Sequence, residues 1–170
     1  SFRSRQKRWY SETTRTVIAR GLIELARRPE QWALLRDGAD LTVAVEELIR
    51  FVTPIHNMCR VATEDTVIGD AQVKAGDQLV LMYSSANRDP AHFEDPESLD
   101  VIRHPNHHLA FGFGTHFCLG SSLARMEIRV FFEELITRVS DLAVLDDTVV
   151  EMPNAFVYGL RSAQMTLTPR

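Results

Sequence analysis

The stretch FGFGTHFCLG, Phe111 to Gly120, restricts this chain more than any other, because it sets three glycines and one cysteine directly before a helix-patterned run, SSLARMEIRVFFEELITRV. Gly112, Gly114 and Gly120 permit backbone conformations and close approaches that a Cβ would block, so the loop suits contact with something flat or bulky. Cys118 falls at the entrance of the helix, where unpaired N–H groups and the positive end of the dipole stabilise a thiolate. Such a sulfur serves either as a metal ligand or as a nucleophile.

The rest of the chain is patterned for a mainly helical domain with small antiparallel sheets. Ser11 is suited to cap a helix carrying Glu12 in its first turn and Val17, Ile18, Leu22, Leu25 and Ala26 on one stripe, ended by Pro29. A short helix follows, with Pro29 in its first turn and Gly38 beyond its end. LTVAVEELIRFV spaces Leu41, Val45, Leu48, Ile49 and Val52 helically before Pro54. Between Met58 and Tyr83, short β-rich pieces separated by Gly69 and KAGD predict one small antiparallel sheet, and residues 84–117 read as a long irregular segment. After Gly120, Leu123, Ile128, Phe131, Phe132, Leu135 and Val139 give an apolar helix, and the tail reads as strands and turns.

Composition narrows the class. With 170 residues, 45% hydrophobic and 25% charged, the chain can bury one core. A net charge of -4 argues against nucleic-acid binding, because the one basic cluster, Arg3, Arg5, Lys7 and Arg8, is local. No apolar run is long enough to span a bilayer, and two distant cysteines predict free thiols in a cytoplasmic protein, Cys59 being a small core residue. His104, His107 and His108 cluster without the paired spacing that a zinc site uses.

A nucleophilic cysteine needs a base and an oxyanion site, and His116 is close to it in sequence. A single axial thiolate to haem iron needs no second protein ligand, because the porphyrin supplies the remaining nitrogens. A buried structural cysteine is the bland alternative. FGFGTHFCLG, continued by GSSLAR, resembles the haem-binding loop of the cytochrome P450 monooxygenases. EELIR resembles the family's Glu-x-x-Arg, with Glu47 and Arg50 on one helix face. SANRDPAHFEDPESLDVIR resembles the segment leading to the haem loop and offers Arg103 as a third member of that ion-pair network. ETTR resembles the centre of the helix above the haem, which makes Glu12 and Thr13 the proton-delivering residues.

The resemblance implies the C-terminal part of the cytochrome P450 fold, truncated: residues 1–10 as a basic segment foreign to the family and 11–170 as its haem-binding portion. It implies haem b, with Cys118 as iron ligand and His116, Arg60, Phe111, Gly112 and Gly120 around the cofactor. It further implies a hydrophobic small-molecule substrate and electrons from a ferredoxin and its reductase. The nearest likeness is to soluble actinobacterial hydroxylases of sterols and branched lipids, acting by insertion of one oxygen atom of dioxygen into a C–H bond. Trp9, Tyr10 and Ser11 stand where the family has small residues, and two large rings would obstruct the distal face. An inactive remnant that binds haem without turnover therefore stays open beside the enzyme, as does a missing N-terminal half that would complete the fold. A cysteine hydrolase or metal-binding module is a third class.

Overall fold

A computed structural model describes the backbone of residues 2–170 and the side chains from Glu12 onward. Five helices and three two-stranded antiparallel ribbons make up the described fold. Helix α1 (Phe2–Ala26) is followed by α2 (Pro29–Arg36) and α3 (Leu41–Val52). Pro29 enters α2 at its first turn, where a missing N–H costs nothing, and Gly38 follows with φ +101°. Asp40 caps α3 by accepting a 2.7 Å bond from the Thr42 N–H. At the other end Thr53 turns left-handed, its N–H reaching the Ile49 carbonyl at 2.9 Å, and Pro54 ends the helix.

The first helix departs from expectation. Ser11 is an interior residue of α1 and not its cap, because the helix starts at Phe2. Nothing between Phe2 and Ala26 interrupts a helix: no proline occurs there, and the basic residues are good helix formers. The side chains of Trp9, Tyr10 and Ser11, and hence the expected obstruction, lie outside the described residues.

The β-rich stretch forms two ribbons where one sheet is predicted. Strand β1 (Asn57–Val61) pairs with β4 (Gln78–Met82), and between them β2 (Thr66–Ile68) pairs with β3 (Ala71–Val73). The β2–β3 hairpin turns at Gly69, with φ +59°, and pairs with neither β1 nor β4. Cys59 therefore sits exposed on β1, against its expectation as a core residue, since a two-stranded ribbon has too little cover to bury either face. The short α4 (Tyr83–Ala86) opens the irregular segment, and α5 (Ser121–Arg138) follows the cysteine loop. The chain closes with β5 (Val139–Met152) and β6 (Gly159–Pro169), and an isolated bridge from Ile55 to Val157 ties their connection to the end of α3.

The core lies where α1, α3 and α5 meet. Val17, Leu25, Leu48, Ile49, Ile128 and Phe132 are all buried there, with Trp32 from α2 against them. Gly21 allows this approach: a Cβ on it would stand 3.2 Å from Leu48 Cδ2 and 3.7 Å from Phe132 Cζ. Phe131 and Leu135 pack against the core as their spacing predicts, but Leu123 is exposed.

Candidate functional site

The loop before α5 presents its sulfur outward. The Cys118 N–H donates to the Phe111 carbonyl at 2.9 Å, and the Ser121 N–H donates to the Cys118 carbonyl at 3.2 Å. These bonds close the loop on itself. Gly112 and Gly114 make the closure possible with φ +75° and +69°, and a Cβ at Gly112 would stand 3.4 Å from Tyr83 Oη. Cys118 is exposed, and so are the apolar side chains about it: Phe113 at 83%, Phe117 and Leu119. A Cβ at Gly120 would lie 4.0 Å from the sulfur, so the glycine keeps that side low. Four exposed groups, three apolar and one soft, form a platform for a flat apolar body carrying a metal.

An adjoining cleft of about 460 Å³ is lined by Arg60 from β1, Leu81 and Met82 from β4, Tyr83, Leu109 and Phe113 to His116. Its walls bring together Arg60 and His116, 56 positions apart in the chain. The Arg60 guanidinium donates to the Cys59 carbonyl at 2.9 Å and joins no ion pair among the described residues, and His116 is exposed on the turn Gly114–His116. A cation and an imidazole lining one cleft suit a ligand bearing carboxylates.

Behind the loop, Glu47 and Arg50 are completely buried and joined by two bonds, Arg50 Nε to Glu47 Oε2 at 2.7 Å and Nη2 to Oε1 at 2.8 Å. Arg50 donates further to the carbonyls of Asn87, Pro96 and Ser98 at 2.7, 2.9 and 3.1 Å. Glu47 accepts from Arg103 Nε at 3.2 Å, Asn106 Nδ2 at 2.9 Å and the Asp100 N–H at 3.0 Å. This cluster holds the irregular segment 87–106 against α3, with both members of the ion pair fully engaged, as a buried pair requires, while the Asn106 Oδ1 is buried without a partner.

A second cluster was not singled out in the sequence. Glu46, the neighbour of Glu47, takes Arg125 Nε at 2.6 Å and Nη2 at 2.8 Å, together with His108 Nε2 at 3.1 Å. Burial pushes the Glu46 carboxyl up, but the bonds from Arg125 and His108, with the Arg125 charge, outweigh it and hold the group at about 2. His108 Nδ1 accepts from the Ala110 N–H at 3.2 Å, which fixes the tautomer that donates to Glu46. The glutamate doublet beside a histidine in a loop and an arginine one turn into the next helix was the available signal. It is weak, because such residues also make ordinary surface pairs.

Glu12 and Thr13 are half-buried on α1, and the Glu12 carboxylate pairs with Arg15 one turn on. His104 and His107 are exposed while His108 serves Glu46, and among the described residues no three His, Cys, Asp or Glu side chains gather as metal ligands.

A sequence model of cytochrome P450 matches residues 11–156. The chain belongs to the cytochrome P450 family. It is 47% identical over 161 residues to a steroid C26-monooxygenase of Mycobacterium tuberculosis, covering 93% of this chain and 43% of that protein. It is 41% identical over 160 residues to a methyl-branched lipid omega-hydroxylase of the same species, covering 92% and 37%. A crystallised P450 involved in the biosynthesis of vancomycin-type antibiotics superimposes with a TM-score of 0.88 at 38% identity, covering 94% of this chain and 41% of that one. The chain thus spans about two fifths of the length of the P450s it matches. Its helices and small antiparallel ribbons are part of the P450 fold. No described helix is long and apolar enough to cross a membrane.

The P450 family implies a haem-iron cofactor. The residues present suit that group: an exposed thiol, an apolar platform around it, and a cleft beside it with a guanidinium and an imidazole for two propionates.

Proposed function

We propose that this chain provides the haem-thiolate portion of a monooxygenase that hydroxylates a steroid or branched lipid. The observation that carries the reading is the exposed Cys118 thiol on an apolar platform, beside the cleft shared by Arg60 and His116. Cys118 ligates the iron of haem b, Phe111, Gly112 and Gly120 shape the loop around it, and Arg60 and His116 hold the propionates. Residues 11–170 are the haem-binding portion. Bound haem supplies reductive activation of dioxygen, which a thiolate ligand biases toward O–O cleavage.

The chain's own side chains supply positioning and protons. Glu47, Arg50 and Arg103 fix the segment that leads into the cysteine loop. Glu12 takes up and passes a proton at its carboxylate, and the Thr13 hydroxyl orients its delivery. Electrons come from a ferredoxin and its reductase in the cytoplasm, where the two free thiols stay reduced. The steroid or lipid class is supported by the names of the relatives, a steroid C26-monooxygenase and a methyl-branched lipid omega-hydroxylase.

A second reading, haem binding without turnover, is favoured by one observation: the Glu12 carboxylate is engaged by Arg15. Reconstituting the purified chain with haem and recording the reduced carbon monoxide spectrum, with Cys118→Ala alongside, tests the ligand. A thiolate-type Soret shift in the parent and none in the variant is expected, and an identical spectrum in both would sink the reading. Product formation from a steroid or branched lipid, in the presence of ferredoxin and reductase, separates the enzyme from the inactive binder.

A further inference from the structure

The Glu46, His108 and Arg125 cluster joins three separate parts of the chain at the back of the cysteine loop. Glu46 lies on α3, one residue from the buried Glu47, and so inherits a rigid base. Arg125 lies on the second turn of α5 and binds both Glu46 oxygens, at 2.6 and 2.8 Å, in the forked geometry that fixes direction as well as distance. His108 enters the loop from the irregular segment, its side chain almost wholly buried, and spans from Glu46 to the Ala110 N–H.

Arg125 and His108 both reach Phe111, and Glu46 holds the two of them. The Arg125 guanidinium stands 4.5 Å from the centre of the Phe111 ring, and the His108 ring lies 5.8 Å from it on centroids. Phe111 in turn accepts the Cys118 N–H at 2.9 Å. The Arg125 pKa is raised, first by its bond to Glu46, in keeping with the forked geometry. A lone Arg over a ring would be a loose surface contact. Here the carboxylate holds the cation in place, the cation holds the Phe111 ring, and the Phe111 backbone carbonyl accepts from the cysteine N–H.

We propose that Glu46, Arg125 and His108 are positioning residues that fix Phe111 and through it the direction and exposure of the Cys118 sulfur. This rests on the reading of Cys118 as the iron ligand. The cluster lies outside the Glu47, Arg50 and Arg103 network and performs a different task, since that network holds the segment before the loop while this one holds the loop itself.

The test compares the parent with Glu46→Gln, Arg125→Lys and the double variant. Lysine keeps the charge but cannot make the fork, and because Arg125 is about one third exposed its replacement leaves the core packing intact. Hydrogen exchange of the Cys118 amide in the haem-free chain is read first, with the amides of β5 and β6 as the internal reference for the global fold. Each single variant is expected to speed Cys118 exchange roughly tenfold with β5 and β6 unchanged, and the double variant to add little beyond either, as for groups acting as one unit.

After haem reconstitution, the variants are expected to show a smaller thiolate-type fraction in the reduced carbon monoxide spectrum than the parent. Should Glu46→Gln lose the reference protection and unfold, Arg125→Lys decides alone. Unchanged Cys118 exchange in Arg125→Lys with an intact reference overturns the positioning role. A parent without any thiolate-type band overturns the haem reading instead, and an exchange difference seen in that same chain would still place the cysteine under control of the cluster.

Discussion

Arg50 reaches Glu47 through two hydrogen bonds of 2.7 and 2.8 Å, and neither side chain has any surface in water. The pair is three residues apart on α3, yet most of its partners come from residues 87–106. It works as a nail through the helix into an otherwise irregular segment.

Removing one end leaves an uncompensated charge in the core. Arg50→Ala is expected to destabilise the chain by about 3 to 5 kcal/mol, with Glu47→Ala similar and the double variant less than additive. Urea unfolding followed by circular dichroism measures it. A loss within about 0.5 kcal/mol, the range of an ordinary surface change, would contradict this account.

Glu46 predicts a pH dependence. Its carboxyl is held at about 2 in the folded chain against an ordinary 4.5. A depressed folded value means that the unfolded chain binds the proton first, so the contribution is fully present above pH 4.5 and is lost as pH falls toward 2. The urea midpoint of the parent should therefore drop across that window more than that of Glu46→Gln. Parallel pH profiles for the two chains would remove Glu46 as a source of acid sensitivity.

Gly21 is the contact point of α1 with α3 and α5. Because a Cβ there meets Leu48 Cδ2 at 3.2 Å, Gly21→Val forces the helices apart. The expected cost is about 1 to 3 kcal/mol despite the better helix propensity of the new residue. A melting temperature equal to or above the parent's would show that the helices can yield at that point.

The apolar surface is large for a free chain. Phe113, Phe117, Leu119, Leu123 and Met126 are exposed around the cysteine loop and α5, as are Val61, Val80 and Met82 on the β1–β4 ribbon. Patches of this kind drive association. Light scattering on the purified chain should show oligomers, and Phe113→Ser with Leu119→Ser should reduce them. A monodisperse parent monomer would count against the prediction.

Local sequence was sufficient for much of the fold. Proline and glycine punctuation marks α2 and the end of α3, helical spacing marks the core faces of Leu48, Ile49, Ile128 and Phe132, and both follow from interactions within a few residues. The cysteine loop was legible because its glycines and its position before α5 are contiguous. The start of α1 was misplaced because Ser11 is as compatible with a helix interior as with a cap, and only the residues ahead of it decide. Cys59 was expected in the core on residue type and Leu123 was counted in the apolar pattern of α5, but exposure depends on what lies opposite.

By itself, the sequence determined the helix periods, the breaks between them and a chemically loaded loop, since backbone propensity and side-chain spacing act over one or two turns. The tertiary structure alone decided which distant residues share a wall. It set Arg60 and His116 on one cleft, where the β1–β4 ribbon meets the loop, and Glu46 beneath Arg125 and His108, where α3 meets the loop and α5. Pairings across 56, 62 and 79 positions leave no periodic trace in a single chain.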